Sequence, residues 1–464
     1  MNPRTTNPRT LEPPNYEPPN PRTPELRTPE PPNPKPPNPL AMNFLLRKAT
    51  VIDPNSPYHG KVVDIFIEGD KITSIGSELK RKADQVIEIE GIHVSPGWVD
   101  IGVQVGDPGF EHREDLRSVS AAAASGGFTV IGAQPNTYPV VDGKTEVAYL
   151  VQHSRGKLVD ILPIAAITAK CQGKDITEMI DMHHAGAIAF SDGNQAIADN
   201  GMILRALEYV KAFDGIVINQ PLDRTLAFEG QMHEGVVSTS LGMKGIPNLA
   251  EDLMVQRDIY LTQYAESRLH LANLSSQFAV ELVRRAKAKG LKISCSVAAL
   301  NLAFDDRALV EFDSNFKVLP PLRSHEDIEA LKQGLKDGTI DLIGSNHVPL
   351  EEEAKKLEFP YADFGAIGLE TTYALVNTHL EGVLSQTELV EKLAINPRRI
   401  FNLEEITVRE GAKANLTVFH PHQTWTFERS HIFSKSSNSP LLGKRLKGKV
   451  IGVVNNGSAF INPH

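Results

Sequence analysis

From Met42 to about Pro96 the hydrophobic pattern has a period of two. Phe44–Asp53 alternates, and Val62–Ile75 forms two runs broken at Gly69-Asp70, a two-residue hairpin signal. Short strand-like runs return near the far end, at Asn415–Phe419, Trp425–Phe427 and Lys449–Ile461, the last turning at Asn455-Asn456-Gly457. Between these ends eight apolar runs alternate with stretches of helical spacing. The runs are Trp98–Val105, Phe128–Gln134, Asp160–Thr168, Gly186–Ser191, Gly215–Gln220, Arg268–Leu274, Lys292–Ala298 and Ile340–Ser345. Met202–Phe213, Glu281–Lys289 and Glu326–Lys336 carry the helical spacing. Strands alternating with helices over some 300 residues predict an α/β fold, a (β/α)8 TIM-type barrel. The two terminal segments predict one small composite β-sandwich. The domain boundaries expected are 42–96 and 409–464 for the sandwich and 97–408 for the barrel.

Residues 1–41 break this pattern. They repeat Asn-Pro-Arg-Thr and Pro-Glu-Pro-Pro-Asn units and hold nearly half of the 32 prolines. Such composition favours polyproline II or coil over a packed element. One reading is a docking arm for a proline-binding partner. The plainer reading, adopted here, is a disordered leader or upstream sequence translated from a wrong start.

The 464 residues, 41% hydrophobic, suffice for one large barrel and an accessory domain. The net charge of −9 and the lack of a basic stripe argue against nucleic-acid binding. No run of about 18 apolar residues suggests a membrane span, and the first residues lack the apolar core of a signal peptide. Two cysteines, Cys171 and Cys295, make no disulfide framework and fit a reducing compartment. A cytoplasmic protein is expected.

Barrel enzymes place reacting groups at the C-terminal ends of their strands. Here the first run reads Trp98-Val99-Asp100-Ile101-Gly102-Val103-Gln104-Val105-Gly106-Asp107-Pro108-Gly109. It resembles the D-x-H-x-H-x-R-x-P-G signature of the dihydroorotase, hydantoinase and allantoinase branch of the amidohydrolases. In that family the two histidines bind zinc and the arginine grips the substrate carboxylate; Gly102, Gln104 and Gly106 stand in those places. Further resemblances lie in Gln134-Pro135-Asn136-Thr137, Lys317-Val318-Leu319-Pro320-Pro321-Leu322-Arg323 and Phe364–Thr371. The likeness runs from about Met42 to the C-terminus. Family members join a barrel to a sandwich made from both chain ends, which matches the pattern above.

The resemblance implies that five ligand positions have changed. Beside Gly102 and Gln104, Gln220 stands at the histidine of strand five and Asn273 at that of strand six. Asn346 replaces the aspartate of strand eight, and Leu350 the last histidine. Only Asp192 on strand four remains a plausible ligand. A carboxamide carries no negative charge and is a far poorer zinc ligand than imidazole, so no metal and no catalytic residue are expected. Of the pocket, Asn136 is kept, the arginine is lost at Gly106, and Leu319 replaces an asparagine that contacts the ring.

Other candidates have plainer readings. His183-His184 suits a helix C-terminus. Alternation from Asn273 points His270 toward the helix layer, and His347 packs behind the mouth. His233 lies in a loop after strand five from which it can reach the pocket. His112, Arg113, Glu114 and Asp115 read as a solvated cluster opening the first barrel helix. The cysteines read as buried packing, and Ser125-Gly126-Gly127 as a turn and not a phosphate loop.

The expected function is that of a dihydroorotase-like pseudoenzyme of pyrimidine biosynthesis. The resemblance suggests a homodimer and an assembly partner such as aspartate carbamoyltransferase or an active dihydroorotase chain. The alternatives are an active dihydroorotase or related cyclic amidohydrolase using Asp192 with His233, and a metabolite sensor using the amides of the mouth.

Overall fold

The computed structural model describes residues 43–463. The expectation for residues 1–41 lies outside them. Eight parallel strands form the barrel: Trp98–Val103, Phe128–Ala133, Asp160–Ala165, Ala189–Phe190, Val217–Asn219, Leu269–Leu271, Ile293–Ala298 and Leu342–Gly344. They pair in chain order from first to eighth. The first and eighth meet through the Ser345 N–H, which donates to Asp100 at 3.2 Å, and through the Gln104 N–H, which donates to the His347 carbonyl at 3.1 Å. Every strand lies within its expected run. Each run is longer than its strand because the apolar sequence continues into buried loop.

The three expected helices are present as Asn200–Lys211, Gln277–Ala288 and His325–Lys336. Val217, Leu269 and Leu271 face these outer helices. Ile164, Ala189, Ile218 and Leu342 fill the barrel interior, with Phe401 among them. Phe401 closes the end opposite the mouth, since Arg268, just before strand six, donates to the adjoining Ile400 carbonyl.

The chain ends build one eight-stranded sheet. Asn43–Val51 pairs antiparallel with Val62–Glu68, and Leu416–Thr426 pairs with Arg445–Asn455. The halves join where His93–Pro96 runs parallel to the first of these strands and antiparallel to Leu416–Thr426. That joining strand and Gln85–Ile87 are too short to show a period. Ser125-Gly126-Gly127 is a turn as expected: a Cβ on Gly126 would stand 2.0 Å from the Leu369 carbonyl oxygen, so only glycine lets helix and strand pack this closely.

Candidate functional site: an amide-lined barrel mouth

The strand ends open into two adjoining cavities of about 770 and 320 Å³ that share Gln104, Arg113, Asn194 and Gln195. Gly106 and Asn136 line the outer one; Gln220, Leu319 and Asn346 line the inner one. Beneath them is a void of only about 20 Å³, walled by Gly102, Gln134, Gln220, His270 and Asn273.

Three of the substituted side chains are tied together. The Asn273 amide donates to Asn346 Oδ1 at 3.2 Å, and the Asn346 amide donates to the Leu319 carbonyl at 3.2 Å. The Gln220 amide reaches the same carbonyl at 3.4 Å. Asn273 and Asn346 follow strands six and eight with φ of 54° and 50°, a left-handed backbone that asparagine tolerates better than most residues. One main-chain carbonyl from the loop after strand seven thus accepts two amides. These groups neither titrate nor carry net charge.

Asp192 is turned aside. Its buried carboxylate accepts from the Thr168 N–H at 2.9 Å and from the Thr168 hydroxyl, committing both oxygens to the end of strand three. Burial raises its pKa, against the pull of these hydrogen bonds. Asn136 is also occupied: its amide donates to the Asp192 carbonyl at 3.1 Å and its oxygen accepts from the Asn194 N–H at 3.1 Å. At Gly106, φ is 69° and a Cβ would stand 2.4 Å from the Glu114 carbonyl oxygen, so the backbone excludes any side chain there. Gly102 has φ of 99°, and the Gln134 amide lies 3.4 Å from where its Cβ would be.

Three histidines and one glutamate need comment. His233 lies beside Arg323, 3.4 Å from its guanidinium, on the short strand Met232–His233 paired with Gly245–Ile246; it lines none of these cavities. Burial, with the nearby Arg323 charge, lowers its pKa to about 4. His270 faces the barrel interior, not the helix layer: it is level with Ile218, and its ring meets Phe401 at 5.3 Å. The parity counted from Asn273 fails because the strand ends at Leu271 and the chain turns left-handed at Asn273. His270 bonds to the Ser294 hydroxyl at 2.9 Å and the Ser296 hydroxyl at 3.2 Å, and burial drives its pKa down to about 3. His347 packs behind the mouth as expected. Its partner is Glu114, 3.2 Å away and wholly buried, which corrects the reading of Glu114 as a solvated charge. Helix Leu116–Ser125 starts two residues after Glu114, with Asp115 as its N-cap.

Cys171 lies in the wall of the outer cavity with its thiol pKa raised by burial, and Cys295 is buried with its pKa pushed up to about 12. Neither is poised as a thiolate. Among the described residues no group of three His, Cys, Asp or Glu side chains is placed to hold a metal ion. The neutral amides and the committed Asp192 therefore do not fit the zinc that the family resemblance implies. Sequence reading missed Gln134, Asn194, Gln195 and Arg113 as mouth residues. Polar side chains in loops after barrel strands were the only local signal for them.

Among the described residues no helix is long and apolar enough to cross a membrane. A dihydro-orotase-like family model matches residues 91–279. The dihydroorotase of Syntrophus aciditrophicus is 40% identical over 414 residues, covering 88% of this chain and 97% of the relative. That of Geobacter metallireducens is 39% identical over 410 residues, covering 88% and 96%. The L-hydantoinase of Arthrobacter aurescens superposes with a TM-score of 0.80 at 23% identity, covering 91% of this chain and 96% of the neighbour. The dihydropyrimidinase of Brevibacillus agri gives 0.76 at 21% identity, covering 91% and 95%. These two structures share the fold. Fold, strand-end order and the extended identity to the two dihydroorotases lead to one conclusion: the chain belongs to the dihydroorotase family.

Proposed function

We propose that this chain serves pyrimidine biosynthesis without hydrolysing a cyclic amide, as a structural partner of an enzyme such as aspartate carbamoyltransferase. The observation that carries the reading is the tie of Gln220 and Asn346 to the Leu319 carbonyl, with Asn273 bonded to Asn346. Hydrolysis needs a water made nucleophilic and a group that takes its proton. The amides do neither. His270, at about pKa 3, sits far below the range of a useful base at neutral pH. A second reading, a metabolite sensor, draws support from the open outer cavity of about 770 Å³.

The test is interconversion of dihydroorotate and carbamoyl aspartate by the full chain, with and without added zinc. The expected rate equals that of the protein-free control at every zinc concentration. Zinc-dependent turnover would replace this reading with an active dihydroorotase.

A further inference from the structure

The outer cavity of the mouth carries charge of one sign. Lys170, Lys174 and Arg113 stand in its wall, and among the described residues no aspartate or glutamate lines it, although the chain has a net charge of −9. Arg113 is already engaged: it donates to Glu351 at 2.8 Å and lies over the Phe110 ring at 5.5 Å. The ammonium groups of Lys170 and Lys174 are not. Neither has a hydrogen-bond or ion-pair partner among the described residues, and the same holds for the side-chain amides of Gln104, Gln172 and Gln195 in that wall. A concave wall of cations and amide donors without counter-charge concentrates anions.

The loop that presents the lysines is fixed from beneath. Asp192 holds Thr168 through its N–H and hydroxyl, and the Thr168 oxygen accepts in turn from the Gly173 N–H at 2.8 Å. The Ala169 N–H donates to the Asp175 carbonyl and the Lys170 N–H to Asp142, each at 2.8 Å. Lys170 and Cys171 are both left-handed, with φ of 55° and 53°. L residues adopt this backbone at a cost that glycine avoids, so the loop carries a lysine where glycine would be easier. Strained backbone of this kind gathers at ligand sites.

The wall also discriminates between anions. A carboxylate is best held by the planar fork of an arginine. Arg113 is committed elsewhere, Gly106 admits no side chain, and both ends of the Asn136 amide are used. A lysine ammonium is a point charge without planar preference. It suits the tetrahedral oxygens of a phosphoryl group, which at neutral pH also brings more charge than one carboxylate. The volume of about 770 Å³ accommodates a small metabolite.

We propose that the outer cavity binds a phosphate-bearing metabolite through Lys170 and Lys174. The proposal gives a ligand class to the sensor reading above and rests on it. Pyrophosphate is the probe, titrated into the full chain by isothermal calorimetry at neutral pH and physiological salt. One site per chain is expected, with malonate, a dicarboxylate, binding at least about tenfold more weakly. Lys170→Gly and Lys174→Gln are each expected to weaken pyrophosphate about tenfold, the order of one charge-assisted hydrogen bond. Lys170→Gly is expected to do so without lowering the melting temperature, because its backbone suits glycine. Lys289→Ala, which precedes strand seven and so lies on the barrel face opposite the mouth, is expected to leave binding unchanged. Absence of pyrophosphate binding, binding that survives both lysine changes, or malonate bound as tightly through the same lysines would overturn the proposal. None of these results touches the sensor reading itself, which falls if the chain turns over dihydroorotate.

Discussion

Glu114→Ala will lower the stability of the chain by about 3–5 kcal/mol, the cost of leaving several buried donors without the carboxylate they share. Glu114 joins three separated parts of the sequence. Its carboxylate lies 3.2 Å from His347 Nε2, accepts from the Ser118 and Ser434 hydroxyls, and accepts from the Lys435 N–H at 3.2 Å. His347 Nδ1 accepts from the Gly368 N–H at 3.2 Å and the Leu369 N–H at 3.4 Å, which assigns the ring proton to Nε2 and points it at Glu114. Alanine leaves these donors buried and unpaired, and an unmade bond costs more than a made one contributes. Denaturant unfolding of Glu114→Ala beside Arg117→Ala checks this. The exposed Arg117 change is expected within about 0.5 kcal/mol of wild type. Equal, small effects from both would show that the buried network does not hold the C-terminal segment to the barrel.

The second large effect depends on pH. His270 has an ordinary pKa of 6.5 in the unfolded chain and about 3 when folded, because burial penalises its charged form. The unfolded state therefore binds the extra proton first. The contribution of the neutral ring is complete above pH 6.5 and is lost as the pH falls from there toward 3. Between pH 7 and 4.5 the loss is about 2–3 kcal/mol. His270→Gln keeps a hydrogen-bonding group for Ser294 and Ser296 but cannot take the proton. The variant is expected to lose less stability than wild type over this interval, by that amount. Parallel pH dependences for the two chains would mean that His270 is not held neutral by the barrel interior.

Periodicity and segment order made the fold legible. Even Ala189–Phe190, a strand of two residues, sits inside an apolar run of sufficient length to be seen. The site was legible as a set of positions, because Gly102, Gln104, Gln220, Asn273 and Asn346 all fall at or near strand ends. Their arrangement was not. The carbonyl that gathers the amides belongs to Leu319, 99 residues from Gln220 and 27 from Asn346. Glu114 sits among other charges, and its partners His347 and Ser434 are 233 and 320 residues away, so no local signal marks it as buried. His270 was misplaced by a parity count across a left-handed residue. Helix Leu249–Ala265 escaped notice because both of its faces carry apolar residues, which erases the 3.6-residue period.

If the amides of the mouth have replaced a metal-binding hydrolytic site, as proposed, the chain should hold no zinc there. Zinc binding by the full chain, measured by equilibrium dialysis against a competing chelator and followed by thermal melting, tests it most directly. Less than one retained zinc per chain is expected, with a melting temperature unmoved by zinc, since a ligand bound only by the folded state would raise it. One or two zinc ions held per chain, with a raised melting temperature that Asn346→Ala abolishes, would contradict it.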